Sequence, residues 1–257
     1  MEKRIQLRGK TLGDPAQPLI CTPIIGRTQK EILQELTHVT AKKPDLIEWR
    51  ADFFDKIENT DEVIALAKRI RENAGDIPVI FTNRSQREGG QPIPLSEKEI
   101  LEMYIEICKN TAADIIDFEL SNRLEHLRYL RKVSHDAGLK MIMSYHHFES
   151  TPSQDVLMKK LLEAEACGAD IAKAAVMPKT LKDVLTLLNV TYEGNKKLNI
   201  PLITISMGGY GTLTRMFGGV FGSCVTFAVG ENSSAPGQIP IEDLKTVLNI
   251  VQKSMID

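Results

Sequence analysis

Met141-Ile-Met-Ser-Tyr145 and Ile171-Ala-Lys-Ala-Ala-Val176 are two short apolar runs, and between them Thr151 is followed by Pro152 and Gln154, a helix-start signal. Strand, helix, strand is the rhythm of a βαβ unit. Reading outward from this unit, the rhythm fills the chain. Leu19 to Ile25, Leu46 to Trp49, Val79 to Thr82 and Ile115 to Leu120 precede it, and Leu202 to Met207 and Val225 to Val229 follow, which makes eight runs. Thr28 with Glu31 and Ser96 with Glu99 carry the capping-box spacing at two further helix starts. In the first helix Ile32, Leu33, Leu36 and Val39 form one stripe, with Lys30, Glu31, Gln34 and Glu35 off it, as a helix covering a sheet requires. Eight such units close into an α/β (β/α)8 TIM barrel more naturally than they spread into an open doubly wound sheet, which the length also permits. Arg4 to Arg8 alternates, so the first fifteen or so residues predict a short β extension, a hairpin or strap over the barrel bottom. No Pro/Gly/Ser linker, low-complexity tract or repeat divides the chain, and residues 1–257 read as a single domain.

The composition, 42% hydrophobic and 26% charged, is that of an ordinary globular protein. A formal charge of -2 creates no global field for nucleic acid or an anionic membrane surface, so an anionic ligand must be held by a local cluster. Cys21, Cys108, Cys167 and Cys224 are widely spaced in apolar stretches without a Cys-x-x-Cys pair, which predicts reduced thiols and a cytoplasmic setting. The opening Met1-Glu-Lys-Arg4 leads into no apolar signal-peptide core, and no stretch approaches the ~20 apolar residues of a membrane span. Export by that route and membrane insertion are not expected. No His/Cys/Asp/Glu spacing resembles a zinc site, and no Gly-x-Gly-x-x-Gly follows a strand.

In a barrel the inward side chains near each strand's C-terminal end face the catalytic mouth. Glu48 and Arg50 share one face at the end of the second run, Arg84 ends the third with Glu88 four residues on, Asp117 and Glu119 share a face on the fourth, His146 closes the fifth and Lys173 sits in the sixth. Any one of these reads as a solvated or paired strand-end charge. Ionisable groups from five strands converging on one end are the arrangement of a barrel active site.

Lys173 lies among alanines in Ala169-Asp-Ile-Ala-Lys-Ala-Ala-Val176. A buried ammonium is unfavourable, and desolvation leaves a fraction as the free amine that attack on a carbonyl needs. The same position also fits a lysine that snorkels to the mouth or pairs with an inward acid such as Glu119. In Ser144-Tyr-His-His-Phe148 alternation puts His146 on the face of Ser144 and Ile142, and His147 on the other, so His146 is the better general acid/base candidate; it also fits a strand-end hydrogen-bonding role. His38, His126 and His135 fall on helices, with surface or helix-end roles. The late glycines in Ile205-Ser-Met-Gly-Gly-Tyr-Gly-Thr-Leu-Thr-Arg215 fit a phosphate cradle or tight turns equally, and Arg215 supplies a bidentate anion contact in either case.

Glu48-Trp-Arg-Ala-Asp52, Thr82-Asn-Arg-Ser-Gln-Arg-Glu-Gly-Gly90, Ser144-Tyr-His-His-Phe148, Asp170-Ile-Ala-Lys173, Ser206-Met-Gly208 through Arg215, and Ser234-Ala-Pro-Gly-Gln238, in this order and spacing, together resemble type I 3-dehydroquinate dehydratase. The resemblance implies a homodimeric lyase of the shikimate pathway, without metal or cofactor, at the third step towards chorismate and the aromatic amino acids. It implies an imine between Lys173 and the C3 ketone of 3-dehydroquinate, with His146 taking the C2 proton and returning one to the departing C1 hydroxyl in a syn elimination. Glu88 would orient His146, Arg215 would clamp the substrate carboxylate, and Glu48, Arg50 and Arg84 would bind the ring hydroxyls. Ser234 and Gln238 would belong to a loop closing over substrate. The chain departs from the pattern at His147, where the family commonly has an acidic residue. Two other readings compete. A class I aldolase or transaldolase also uses a strand lysine but would take the late glycines as a sugar-phosphate site, and a catalytically dead barrel would lack Lys173 or His146, both of which are present.

Overall fold

The computed structural model describes residues 3–13 and 17–255; the very N-terminus, where the opening Met1-Glu2 falls, and the last two positions of the 1–257 unit lie outside the described residues. The chain opens with an antiparallel hairpin, β1 (Ile5–Leu7) on β2 (Lys10–Leu12). Strands and helices then alternate: β3 (Leu19–Ile24), α1 (Gln29–Ala41), β4 (Leu46–Arg50), α2 (Thr60–Asn73), β5 (Val79–Thr82), α3 (Glu97–Lys109), β6 (Ile115–Glu119) and α4 (Leu124–Asp136). They continue with β7 (Lys140–His147), α5 (Gln154–Ala166), β8 (Ile171–Val176), α6 (Leu181–Lys197), β9 (Leu202–Ser206), α7 (Gly208–Phe217), β10 (Val225–Val229), the two-residue β11 (Ile239–Pro240) and α8 (Ile241–Ser254). Strands β3 to β9 pair in parallel in chain order, and β10 returns to β3. Parallel strands need both faces covered, which is why β4, β5, β6, β8 and β9 are buried at every position.

The ring closes between β9 and β10 through a thin joint. A single bridge links Leu202 to Ser223, the Cys224 N–H donates to Leu202 O at 2.9 Å, and the Thr204 N–H donates to the Ser223 hydroxyl at 3.1 Å. The upper half of β10 pairs instead with β11. This is the expected (β/α)8 TIM barrel, and the hairpin at its N-terminus is the expected β extension. Leu12 of the hairpin is buried in one apolar cluster with Leu46, Ile80, Ile115, Ile142, Ile171, Ile203 and Val225, one inward residue from most strands. That layer is the barrel floor, and the hairpin caps it from below.

Thr28 and Ser96 close the capping boxes expected of α1 and α3, each worth about 1 kcal/mol. The third helix start is displaced: Ser153, not Thr151, caps α5 and accepts from the Val156 N–H. Thr151 is spent elsewhere, its hydroxyl donating to Met177 O at 3.2 Å. Glu35, expected on the solvent side of α1, is 3% exposed. Its Oε2 accepts the N–H groups of Ile25 (2.7 Å) and Gly26 (2.8 Å), tying the exit of β3 to the helix. Burial pushes its carboxyl up from the usual range. Among the described residues no helix is long and apolar enough to cross a membrane, and no group of three or more His, Cys, Asp or Glu is placed to hold a metal ion.

Candidate active site

Directly above the apolar floor, the next inward residue is polar on five successive strands, β4 to β8. Glu48 on β4, Thr82 on β5, Asp117 on β6, Ser144 on β7 and Lys173 on β8 follow Leu46, Ile80, Ile115, Ile142 and Ile171 by two residues, and register places Thr82 beside Asp117 and Ser144 beside Lys173. Period-two alternation thus turns five floor hydrophobes into five polar groups facing one another.

Asp117 holds this layer together. It is wholly buried, Oδ2 accepting from Lys173 Nζ at 2.7 Å and Oδ1 from the Ser144 hydroxyl at 2.6 Å, with Arg84 Nη2 2.8 Å away. Burial alone would push its carboxyl up, but Arg84 and Lys173 outweigh that and hold it well below the usual carboxylate range. Lys173 also lies 3.7 Å from Glu48 Oε1, whose carboxylate accepts the Thr82 hydroxyl at 2.9 Å. The inward acid that pairs with Lys173 is therefore Asp117, not Glu119. Glu119 accepts from Arg84 Nη1 at 3.1 Å and from the Ser85 N–H at 2.8 Å.

Arg84 is the cationic hub, with Asp117, Glu119 and the Ser144 hydroxyl (2.8 Å) around its guanidinium. Its burial would lower its proton affinity, but Asp117, Glu119 and Glu88 raise it well above its ordinary value. Tyr104 of α3 fixes the strand ends from outside. Its hydroxyl accepts the Asn83 N–H at 2.8 Å and donates to Asp117 O at 2.7 Å, and its ring stands between Phe81 and Phe118 in an edge-to-face aromatic row that begins at Trp49. Arg50 forms a two-pronged bond to Asp52 at 2.8 Å on each arm, and Asp52 also accepts the N–H groups of Arg84 (3.3 Å) and Gln91 (3.1 Å).

His146 sits one polar layer higher on β7. Glu88 Oε2 lies 2.8 Å from His146 Nδ1 and accepts the His146 backbone N–H at 3.0 Å. With Nδ1–H donating to the Glu88 carboxylate, the Nε2 lone pair is left as a base. Burial, then Glu119, raises Glu88 to about 7, whereas burial, then Arg84 and Lys173, drops His146 well below its ordinary value. The buried imidazole is therefore neutral near pH 7. His147 is half-buried on the other face, Nδ1 3.0 Å from Ser150 O.

The glycine-rich stretch after β9 resolves into backbone turns. Gly208 has φ +68° and its N–H donates to Pro236 O at 3.1 Å, and a Cβ on Gly211 would come within 2.0 Å of Ser206 O. The turn launches α7, whose Arg215 is 2% exposed. Arg215 Nη1 donates to Phe227 O at 3.3 Å and Nη2 to Pro236 O at 3.1 Å, while Nε, buried, has no hydrogen-bond partner among the described residues. Burial brings its guanidinium down to about 10. The segment between β10 and β11 folds over this arginine. Gln238 Oε1 accepts the Ser234 N–H at 3.0 Å and Gln238 Nε2 donates to the Ser234 hydroxyl at 3.2 Å, a reciprocal staple.

All nine residues assigned a role from the sequence, Glu48, Arg50, Arg84, Glu88, His146, Lys173, Arg215, Ser234 and Gln238, line one cavity at the C-terminal mouth. Five participants carry no role in the sequence reading: Asp117, placed there only on the face it shares with Glu119; Ser144; Thr82; Asp52; and Tyr104. The inward alternation that singles out Glu48 and Lys173 also reaches Asp117 and Ser144. A buried amine, a neutral imidazole oriented by a carboxyl, and a guanidinium with a free buried donor suit addition to a carbonyl next to a carbon–hydrogen bond, with an anionic group held at the far side.

The family model for type I 3-dehydroquinase matches residues 20–255. The 3-dehydroquinate dehydratase of a Geobacillus species is 54% identical over 99% of this chain and 97% of its own, and that of Aromatoleum aromaticum 49% identical over 99% and 98%. The crystal structure of 3-dehydroquinate dehydratase from Geobacillus kaustophilus superposes with a TM-score of 0.96 at 47% identity, covering 98% of both chains. The type I enzyme of Clostridium difficile, with covalently modified comenic acid, superposes at 0.95 with 38% identity, covering 99% of this chain and 100% of its own. With fold, cavity and near full-length identity in agreement, the aldolase alternative falls away, and the chain belongs to the type I 3-dehydroquinase family.

Proposed function

We propose that this protein is a 3-dehydroquinate dehydratase, a hydro-lyase that removes water from 3-dehydroquinate to give 3-dehydroshikimate through an imine on Lys173. The observation that carries the mechanism is the meeting of Lys173, His146 and Glu88 in one cavity that Arg215 also lines. Lys173 Nζ adds to the C3 ketone and the oxygen leaves as water, producing an iminium that serves as electron sink. His146 Nε2 takes the C2 proton and then protonates the C1 hydroxyl, which departs as water from the same face. Hydrolysis of the remaining imine frees the product. Glu88 holds the imidazole by Nδ1 and supplies the tautomer the step needs.

The free Nε of Arg215 supports its assignment to the substrate carboxylate. Glu48 and Arg50 bind ring hydroxyls, as does Arg84 with whatever donor capacity its acidic neighbours leave. The stapled Ser234–Gln238 segment keeps water from the imine. No metal or dissociable cofactor takes part. The whole chain, residues 1–257, acts as one domain, and its partner is a second copy. Leu181, Leu185 and Tyr192 of α6 and Tyr210, Leu213 and Phe217 of α7 are exposed on adjoining helices, an apolar face suited to a homodimer. Four free thiols, three of them buried, fit a cytoplasmic setting.

The test is incubation with 3-dehydroquinate and borohydride, with enone absorbance followed in an unreduced sample and any adduct located by peptide mass. Enone growth with a reduced adduct on Lys173 is expected, and Lys173→Ala should abolish turnover with the fold intact. Wild-type-like activity in that variant would refute the mechanism, and neither enone nor adduct would refute the activity.

A further inference from the structure

Lys173 Nζ lies 4.8 Å from the centroid of the Phe227 ring, over its face. Phe227 is the inward residue of β10 above Val225, 4% exposed, and lines the cavity. Packing in the cluster with Ile203, Ile205 and Val225 fixes the ring, and its carbonyl is held by Arg215. The other groups on Nζ are anionic oxygens, Asp117 at 2.7 Å and Glu48 at 3.7 Å.

An ammonium has three N–H groups to divide between those oxygens. Imine formation changes that supply. The amine nitrogen bonds to the ketone carbon, the ketone oxygen departs as water after taking up two protons, and the protonated imine keeps one N–H and one positive charge. At most one carboxylate retains its hydrogen bond. The attraction of a cation to an aromatic face needs no N–H, and it strengthens where water is excluded. On these grounds, and resting on the imine reading above, we infer that Phe227 is a catalytic residue whose ring face stabilises the iminium formed on Lys173. Its effect falls on the loss of water from the uncharged carbinolamine, the step that places the charge on the imine; it gives no help to the later loss of the C2 proton, which disperses that charge.

Replacing Phe227 with 4-fluoro-, 3,5-difluoro- and 3,4,5-trifluorophenylalanine in the full-length protein depletes the ring face while nearly keeping its shape. The readout is the rate of adduct appearance, by rapid quenching with borohydride and intact mass, alongside the melting temperature of each protein. The logarithm of the rate should fall in proportion to fluorination, by about three- to thirtyfold over the series, with unchanged melting temperatures. Phe227→Leu, which needs no unnatural residue, should slow adduct formation at least as much. Equal rates across the fluorinated series, with the adduct still on Lys173, would overturn the role of the ring and leave the imine reading standing. No adduct on Lys173 in the unsubstituted protein would overturn both.

Discussion

Replacing Asp117 with asparagine changes little in size and much in charge. Oδ1 survives as an acceptor for Ser144 and Arg84, but Oδ2, which takes Lys173 Nζ at 2.7 Å, becomes an amide that can only donate. Arg84 keeps Glu119 at 3.1 Å, whereas Lys173 falls back on Glu48 at 3.7 Å. Breaking a buried ion pair by removing one partner costs about 3–5 kcal/mol. At roughly 2–4 °C per kcal/mol for a protein of this size, the melting temperature should drop by about 6–20 °C. Most of that penalty should belong to the stranded lysine. Lys173→Met in both backgrounds completes a double-mutant cycle, and the asparagine should cost half as much or less once the cation is gone.

Urea unfolding of the four proteins near neutral pH measures each term. The pH dependence adds a second check. A carboxyl depressed in the folded state contributes stability above its unfolded value of about 3.9 and loses it as pH falls through the folded value, so the stability curves of the unsubstituted protein and of Asp117→Asn should converge in strong acid. A loss under about 1 kcal/mol, or the same loss with and without Lys173, would show that Asp117 is not the counterion of the lysine.

His146→Ala should slow proton transfer and imine turnover by about 10²–10⁴-fold and accumulate a trapped covalent species, while His147→Ala stays near wild type; the reverse outcome moves the role to His147. Because burial, Arg84 and Lys173 depress His146, the acid limb of kcat/KM should lie below about 6.5, and a limb at or above that value contradicts the site's electrostatics. Glu88 has the opposite sign. A carboxyl raised from 4.5 to about 7 favours the folded state at low pH and loses that contribution as pH rises through about 7, so Glu88→Gln should flatten the stability curve between those values. Gly237 has φ +76° and an added Cβ would meet Gly208 O at 2.1 Å, so Gly237→Ala should displace the Ser234–Gln238 segment and raise KM roughly tenfold with little change in melting temperature; unchanged KM rules out a role for that segment in binding.

The barrel was legible because its period is written twice, in eight apolar runs and in the capped helices between them. The site was legible wherever alternation set a charge on an inward position, as at Glu48 and Lys173. It was less so where a charged residue's partner depends on which strands are neighbours. Lys173 could be seen to need an acid, but the choice between Asp117 and Glu119 turns on how the two layers rise across β6, β7 and β8. Glu35 was misplaced for a related reason: periodicity sees only the helix, and the two amides that bury this carboxylate come from the chain leaving β3. At α5 the serine nearer the helix caps it, while Thr151 binds the Met177 carbonyl just past β8.

The thin joint between β9 and β10 has a kinetic meaning. A hoop held by continuous ladders everywhere but one place parts at that place first, so amide exchange should begin in β10 and β11 and reach β5 to β7 last. Arg215 and the stapled segment straddle the weak place, while the lysine stands on β8, zipped to neighbours on both sides. On the roles proposed above, the barrel can breathe at the groups assigned to the carboxylate and stay rigid at the lysine assigned to the covalent bond, a division that would let product leave without disturbing the nucleophile.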